Sequence, residues 1–388
     1  MSWENKTMNR LTSASGVQAV IGHPLPMIKL KEIDALDAGC RAVLRRSPIA
    51  AFGYRDAAGT ARSTFVGGEP GFVRVHSPTR ISFPGISFSG VPLPGISGPR
   101  LPPGPVSFFF LLPGVGEVLR VNGSATGRPD HRIDIQQAYV HCAQAVLRSR
   151  LWQPPASGPA SSGPAVSGSV APVGARAGGG PLSRPGIAEF LAAAPFLALS
   201  SWDAAGGGDT SPRGDRQPVA RILDGRTLVL PDRKGNRRAD TLHNLLADDR
   251  LALAALVPGR DEVLHVRGHG RITDDPDLLA TMALRERPPH LALLIDVEDA
   301  EITGSDAVAR ARIWSPASHL DRATAPDLMA VAGEHLAANS TGAGRRAPAL
   351  ALRVLGAIPG TTRLLRLGMN RAYRAGLRRE GYDDVRPG

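Results

Sequence analysis

Two short runs in the second half of the chain carry the side chains best suited to hold an anion. They are Thr-Ser-Pro-Arg-Gly-Asp at 210–215 and Pro-Asp-Arg-Lys-Gly-Asn at 231–236. Arg213, Arg233 and Lys234 supply charge-assisted donors, and Gly235 lets backbone N–H groups approach closely. A helix expected from near Arg238 would point its positive end at the same place. Each bond from such a cation to a phosphate is worth ~1.5–3 kcal/mol. Alone, the second run reads as a solvated basic turn. The first run, one strand earlier at the start of an adjacent hairpin, makes the pair a candidate phosphate seat.

The elements that must position these residues occur twice. Residues 113–125 (PGVGEVLRVNGSA) match 258–270 (PGRDEVLHVRGHG), 47–59 match 194–206, and 145–152 (AVLRSRLW) match 307–314 (AVARARIW). A period this long is domain-sized, so the chain reads as a tandem duplication. In such a pair, a site at the seam can draw one half from each copy. Within each copy a helix leads into a strand and a turn: residues 31–46, IAAFGYRD and AAGT in the first, IAEFLAAA, FLALSSWD and AAGGGD in the second. Short strands are expected at 226–232, 251–259, 262–272 and 291–297, with helices at 239–249 and 275–287. Several short strands, few helices and Gly/Pro turns imply a mainly β fold with flanking helices, an α+β arrangement of small antiparallel barrels.

The organisation expected is a degenerate barrel over 31–152, a Pro/Ala/Ser/Gly linker over 153–185, a second barrel with the phosphate loops over 186–320, and a C-terminal extension over 321–388. Residues 1–30 show no clear pattern and read as a partly ordered lead-in. The linker is nearly uncharged and cannot bury enough apolar surface to fold. The net charge of +11 would suit nucleic acid, but nine arginines and no acid fall within 345–379, and without them the balance is +2. The basicity therefore belongs to an appendage, and no nucleic-acid partner is expected. Leucines interleave with those arginines, so the tail suits an anionic membrane or acidic partner, or a helix packed on the domains with a solvated arginine face. The two cysteines, Cys40 and Cys142, suggest neither a disulfide framework nor a metal site. No secretory leader or bilayer-length apolar run is apparent, so a cytoplasmic location is expected.

SPRGD, the PDRKGN turn, the LVPG…EVLHVRG strand pair and the HCAQAVLRSRLW segment together resemble the pyridoxamine 5′-phosphate oxidase-like family of FMN-binding split barrels, in its branch of predicted flavin-nucleotide-binding proteins. The resemblance covers about 190–320 well and about 40–152 with interruptions. It implies a six-stranded split barrel whose two subunits hold FMN in clefts between them. It also implies that Arg213 holds the flavin phosphate from the early strand, with Arg233 and Lys234 as the phosphate-turn pair and Ser211 and Asn236 as polar contacts. The opposing copy would contribute His141, Gln144, Arg148 and Trp152, whose spacing places them on one helix face. The usual residue at the Gln144 position is lysine. Trp152 recurs as Trp314, which equally suits a core role in both copies, and His141 reads as a structural hydrogen-bonding residue as readily as a flavin contact.

The two copies have lost different parts. Where the second has TSPRGD the first has STFVGG (63–68), and where the second has its basic turn the first runs through prolines, with Arg100 alone remaining. The first keeps His141 and Cys142 where the second has Thr303 and Gly304, and keeps Arg120 where the second has His265. If the copies pack as the family's subunits do, one cleft keeps both halves and the other keeps neither. The expectation is an intramolecular pseudo-dimer acting as an FMN-dependent oxidoreductase, with its small-molecule substrate, electron donor and catalytic residue undefined and no metal. The alternatives are a non-catalytic flavin or haem binder and a deazaflavin-dependent reductase.

Overall fold

The computed structural model describes residues 8–83, 101–153, 179–216, 218–321, 324–340 and 361–382, with side chains in the last segment from 367 onward. The linker core, the proline run with Arg100, and residues 341–360 of the tail lie outside the described residues.

Three helices, α1 (Ala14–Ile21), α2 (Pro26–Lys29) and α3 (Ala38–Arg46), precede the first sheet. That sheet contains β1 (Ile49–Arg55), β2 (Ala61–Gly67), β3 (Arg74–Ser77), β4 (Arg80–Ser82), β5 (Gly104–Leu111), β6 (Val118–Ala125) and β7 (Ile133–His141), and α4 (Gln144–Ser149) follows it. The second half begins with α5 (Ile187–Ala193), β8 (Phe196–Trp202), β9 (Gly208–Gly214), β10 (Arg221–Ile222) and β11 (Thr227–Asp232). It continues with α6 (Asp240–Ala247), β12 (Arg250–Leu256), β13 (Glu262–Thr273), α7 (Pro276–Ala280), β14 (Leu291–Gly304) and α8 (Asp306–Ala311). The extension carries α9 (Leu328–Asn339) and α10 (Thr361–Arg379).

The strand order of the first sheet is β2-β1-β5-β6-β7-β4-β3, and read from its other edge the second is β9-β8-β12-β13-β14-β11-β10. Position by position these are the same topology, all antiparallel, so the duplication read from sequence is a duplication of fold. Register makes the equivalence exact to the residue: Phe52 faces Thr64 as Leu199 faces Ser211.

Every residue of β8 is buried, as are the first six of β1. A period-2 strand buries one face in its own barrel, so full burial requires a second cover. Ala50, Phe52 and Phe108 fill the first barrel, and Leu197, Leu199 and Leu253 fill the second. The alternate residues Ile49, Ala51, Phe109 and Leu111 pack against Phe196, Ala198, Ala254 and Leu256 in one shared cluster. The two barrels thus clasp through the outward faces of equivalent strands. A buried hydroxyl ladder crosses the seam: Ser200 donates to Ser63 at 3.1 Å, and the Ser107 and Thr210 hydroxyls are 2.5 Å apart.

Several local expectations change. Helix α3 starts only at Ala38, because Asp37 caps it by accepting from the Cys40 N–H at 2.7 Å, while Ile33 upstream bridges to Ala138. The lead-in is ordered over α1, which Ser13 caps and whose Val17 enters the second barrel's core. The helix expected over 275–287 stops at Ala280; Arg285 and Glu286 take left-handed φ of 48° and 63° and Leu284 bridges to Arg287. No helix among the described residues is long and apolar enough to cross a membrane.

Candidate functional site

Helix α4 of the first repeat lies on β9 of the second so closely that a Cβ at Gly214 would collide with the Ala145 carbonyl. This contact requires the glycine of the SPRGD run, and it brings α4 to the mouth of a cavity of about 420 Å³. That volume falls in the ~300–1,000 Å³ range of small-molecule sites. Ser211, Arg213, Arg233, Lys234 and Asn236 line it from the second repeat, and His141, Gln144 and Arg148 line it from the first. Arg148 donates through Nη2 to the Lys234 carbonyl, tying the two contributions together.

Trp152 is not part of this lining. Helix α4 ends at Ser149, Arg150 turns left-handed (φ 52°), and the Trp152 indole donates to the Val115 carbonyl at 2.7 Å. Trp314 makes the equivalent bond to the Arg260 carbonyl at 2.9 Å. The pair therefore pins the same corner of each repeat. His141 likewise ends β7 rather than sharing a helix face with Gln144 and Arg148.

The cavity is not a bare cationic seat. Seven of its lining residues are arginine or lysine and four are aspartate. Arg213 pairs with Asp232 at 2.7 Å, and Arg233 pairs with Asp215 at 2.8 Å while donating to the Met282 carbonyl at 2.9 Å. Arg238 holds Asp240 at 2.7 Å and Glu32 besides. Lys234 is exposed and has no carboxylate partner among the described residues. Beside it the backbone is strained: Arg237 and Ala239 both adopt left-handed φ, 58° and 59°, at a cost of order 1–3 kcal/mol each. Ala239 is the N-cap of α6 and offers no side-chain cap, so the helix's first N–H groups open on the cavity. Ser211 anchors that end, its hydroxyl 3.1 Å from that of Thr241.

Deeper in, Arg120 is buried and paired with Asp209 across the repeats, its guanidinium 5.1 Å from the Tyr139 ring centroid. Burial raises the Asp209 carboxyl, partly offset by Arg120. Burial first, and then the charges of Arg120, Arg238 and Arg213, hold His141 well below the ordinary imidazole value, so it is neutral near pH 7. His141 Nδ1, Arg213 Nε, Arg148 Nε and Asp209 Oδ2 are buried lining atoms with no protein hydrogen-bond partner. Such atoms are rare in folded proteins and fit a cavity shaped for a polar guest.

Two contributors had no sequence signal. Glu380 pairs with Arg148 at 2.7 Å, and Tyr382 donates to Asp215 from beneath the Arg148 and Arg216 guanidiniums. Both follow α10, so the basic tail packs over the end of the cavity that holds Arg148 and Asp215. Leu377 and Tyr382 bury against Leu147 and Leu284, one from each repeat.

Residues 184–304 match the family model for pyridoxamine 5′-phosphate oxidase. No curated protein matches the chain. Solved structures similar to it include a putative pyridoxamine 5′-phosphate oxidase from Lactobacillus delbrueckii (18% identity, 27% of this chain and 83% of that one, TM-score 0.22). HupZ from Group A Streptococcus (17%, 29% and 88%, 0.24) and an F420 reductase (16%, 29% and 94%, 0.23) are also similar.

Proposed function

We propose, from the match of residues 184–304 to the pyridoxamine 5′-phosphate oxidase family, that this chain is a flavin-nucleotide-binding oxidoreductase with one cofactor cleft. The observation that supports it is the meeting of α4 from one repeat with the phosphate turn of the other around a single cavity. Lys234, the uncapped start of α6 and Arg213 would hold the phosphate, with Arg233 acting chiefly through its hold on Asp215. His141, Gln144 and Arg148 would close the cleft from the first repeat. A bound flavin accepts or donates a hydride at its ring, and the protein supplies position and electrostatics. Here the neutral His141 can hydrogen-bond without adding charge, and the paired carboxylates reduce the wall's excess of positive charge without cancelling it.

Each of the four lining aspartates is held by an arginine, which leaves no unpaired carboxylate among the described lining residues to act as a general acid or base. That favours, as a second reading, a flavin carrier without turnover. Titrating the purified chain with FMN and then adding a reduced nicotinamide nucleotide separates the two. The enzyme reading expects one equivalent bound and bleaching of the flavin band. A carrier binds one equivalent and is not reduced. Two equivalents, or none, overturn the single-cleft proposal.

A further inference from the structure

Away from the cleft, α9 of the C-terminal extension crosses α3 of the first repeat, close enough that a Cβ on Gly39 would press on Val331. Three side chains converge at this crossing. His335 Nε2 lies 3.0 Å from Asp37 Oδ2 and 3.7 Å from Cys40 Sγ, and all three ligating atoms lie within 4.8 Å of one another. Cys40 and His335 are buried, while the Asp37 side chain is 30% exposed.

His335 Nε2 and Asp37 Oδ2 need a positive charge between them, either a second ring proton or a metal ion. His335 Nδ1 is 3.1 Å from the Lys31 carbonyl, an acceptor, so Nδ1 carries the ring proton. With a metal in place, Nε2 offers its lone pair to the ion and Asp37 Oδ2 lies beside it as a second ligand. Asp37 already uses Oδ1 to cap α3, which leaves Oδ2 as a one-atom ligand. We propose that Asp37, Cys40 and His335 form a zinc site that rivets α9 to the first barrel.

Tetrahedral zinc with bonds of about 2.0 Å to nitrogen and oxygen and about 2.3 Å to sulfur sets its N–O ligands ~3.3 Å apart and its N–S ligands ~3.5 Å apart. The observed 3.0 and 3.7 Å bracket those values closely. The Lys31 carbonyl on the far ring nitrogen is the outer-shell partner that orients a metal-binding imidazole. A mixed sulfur, nitrogen and oxygen set suits zinc over magnesium or calcium. Solvent reaching past the exposed edge of Asp37 completes four-coordination. The site would hold α9 in place together with Asn339, which donates to the Leu30 carbonyl at 3.0 Å.

The test is metal loading of the full chain after chelator treatment. One equivalent of zinc is expected, and cobalt(II) in its place should give tetrahedral visible bands and a near-ultraviolet thiolate-to-cobalt band. Cys40→Ser should abolish the thiolate band, His335→Ala and Asp37→Asn should lose the equivalent, and Cys142→Ser should keep both readouts. Absence of the thiolate band in the unaltered folded chain overturns the proposal, whatever the variants do. So does stoichiometric zinc that survives Cys40→Ser and His335→Ala together.

Discussion

The two seams between the repeats are built from equivalent residues and end in opposite electrostatic states. In one, Arg120 of β6 meets Asp209 of β9 as a buried ion pair beside the cavity. In the other, the equivalent of Arg120 is His265 and the equivalent of Asp209 is Arg62. His265 offers Arg62 no carboxylate, so Arg62 turns to Asp56 in its own repeat at 2.9 Å. His265 is left neutral, bridging the hydroxyls of Thr64 at 3.0 Å and Thr303 at 3.3 Å. Arg310, which matches Arg148, donates at 3.2 Å to the Gly67 carbonyl and lies where a Cβ on Gly68, the counterpart of Asp215, would meet it. One seam keeps charge and polar atoms facing a cavity; its twin satisfies its polar groups internally. Equal backbones therefore do not make equal sites, and the charge reversal from Asp209 to Arg62 at a register-matched position is one of the changes that separate them.

The sharpest way to break this comparison is to remove the two equivalent side chains. Arg120→Ala leaves Asp209 buried and unpaired, and urea unfolding should show a loss of about 3–5 kcal/mol. His265→Ala removes neutral hydrogen bonds and should cost about 1–2 kcal/mol at pH 7. Equal losses would mean that the seams do not differ as described. Acid should reveal the same asymmetry from the other side. Burial, and then the charge of Arg62, lowers His265 to about 4 from 6.5. A depressed folded pKa means the unfolded chain binds the extra proton first, so stability falls as pH drops from 6.5 towards 4. The full loss for this group is roughly 3 kcal/mol. His265→Asn should lessen the slope of the stability profile over that window while the buried His141 keeps its own share, and an unchanged profile would show that His265 is not held neutral.

Ligand binding sharpens the contrast at a smaller scale. Lys234→Ala should weaken FMN binding by ~1.5–3 kcal/mol, about ten- to a hundredfold. Arg310→Ala, at the counterpart of a cleft residue, should leave the dissociation constant unchanged by fluorescence titration. A loss on both would make the second seam a site as well.

Much of this arrangement was legible in the chain. The repeated PG…EVL-V-G strands carried the duplication, and the losses of arginine in STFVGG and of His141 and Cys142 in the second copy pointed to one seam. What the sequence hid are contacts made at long range. Asp215 and Asp232 stand inside the motifs themselves, yet only the fold shows that they pair with the neighbouring arginines rather than leaving them free. Trp152 lies outside the cavity lining because α4 ends at Ser149, three residues before it, and the left-handed turn at Arg150 breaks the helical spacing. The Asp37, Cys40 and His335 cluster spans nearly the whole chain, so no ligand spacing could show it. The tail read as an Arg-rich appendage because its contacts depend on Leu377, Glu380 and Tyr382, which alone carry no pattern.

That tail supplies the finest distinction between the seams, since the carboxylate of Glu380 meets Arg148, whereas Arg310 donates to the Gly67 and Asp306 carbonyls. Burial raises the Glu380 carboxyl, and Arg148 beside it partly offsets the effect. A carboxylate there takes up charge that a phosphate at the same end of the cavity would otherwise meet. Glu380→Gln keeps the shape and removes the charge, so FMN should bind up to about fivefold more tightly, matching the ~0.2–1 kcal/mol of a modest ion pair. Tyr382→Phe should act weakly in the opposite direction, because an Asp215 carboxylate without its hydroxyl donor is more negative beside the cavity while the Arg233 pair stays intact. Should Glu380→Gln instead weaken binding, the segment after α10 would be part of the cofactor seat, and the asymmetry between seams would rest on three chain segments rather than two.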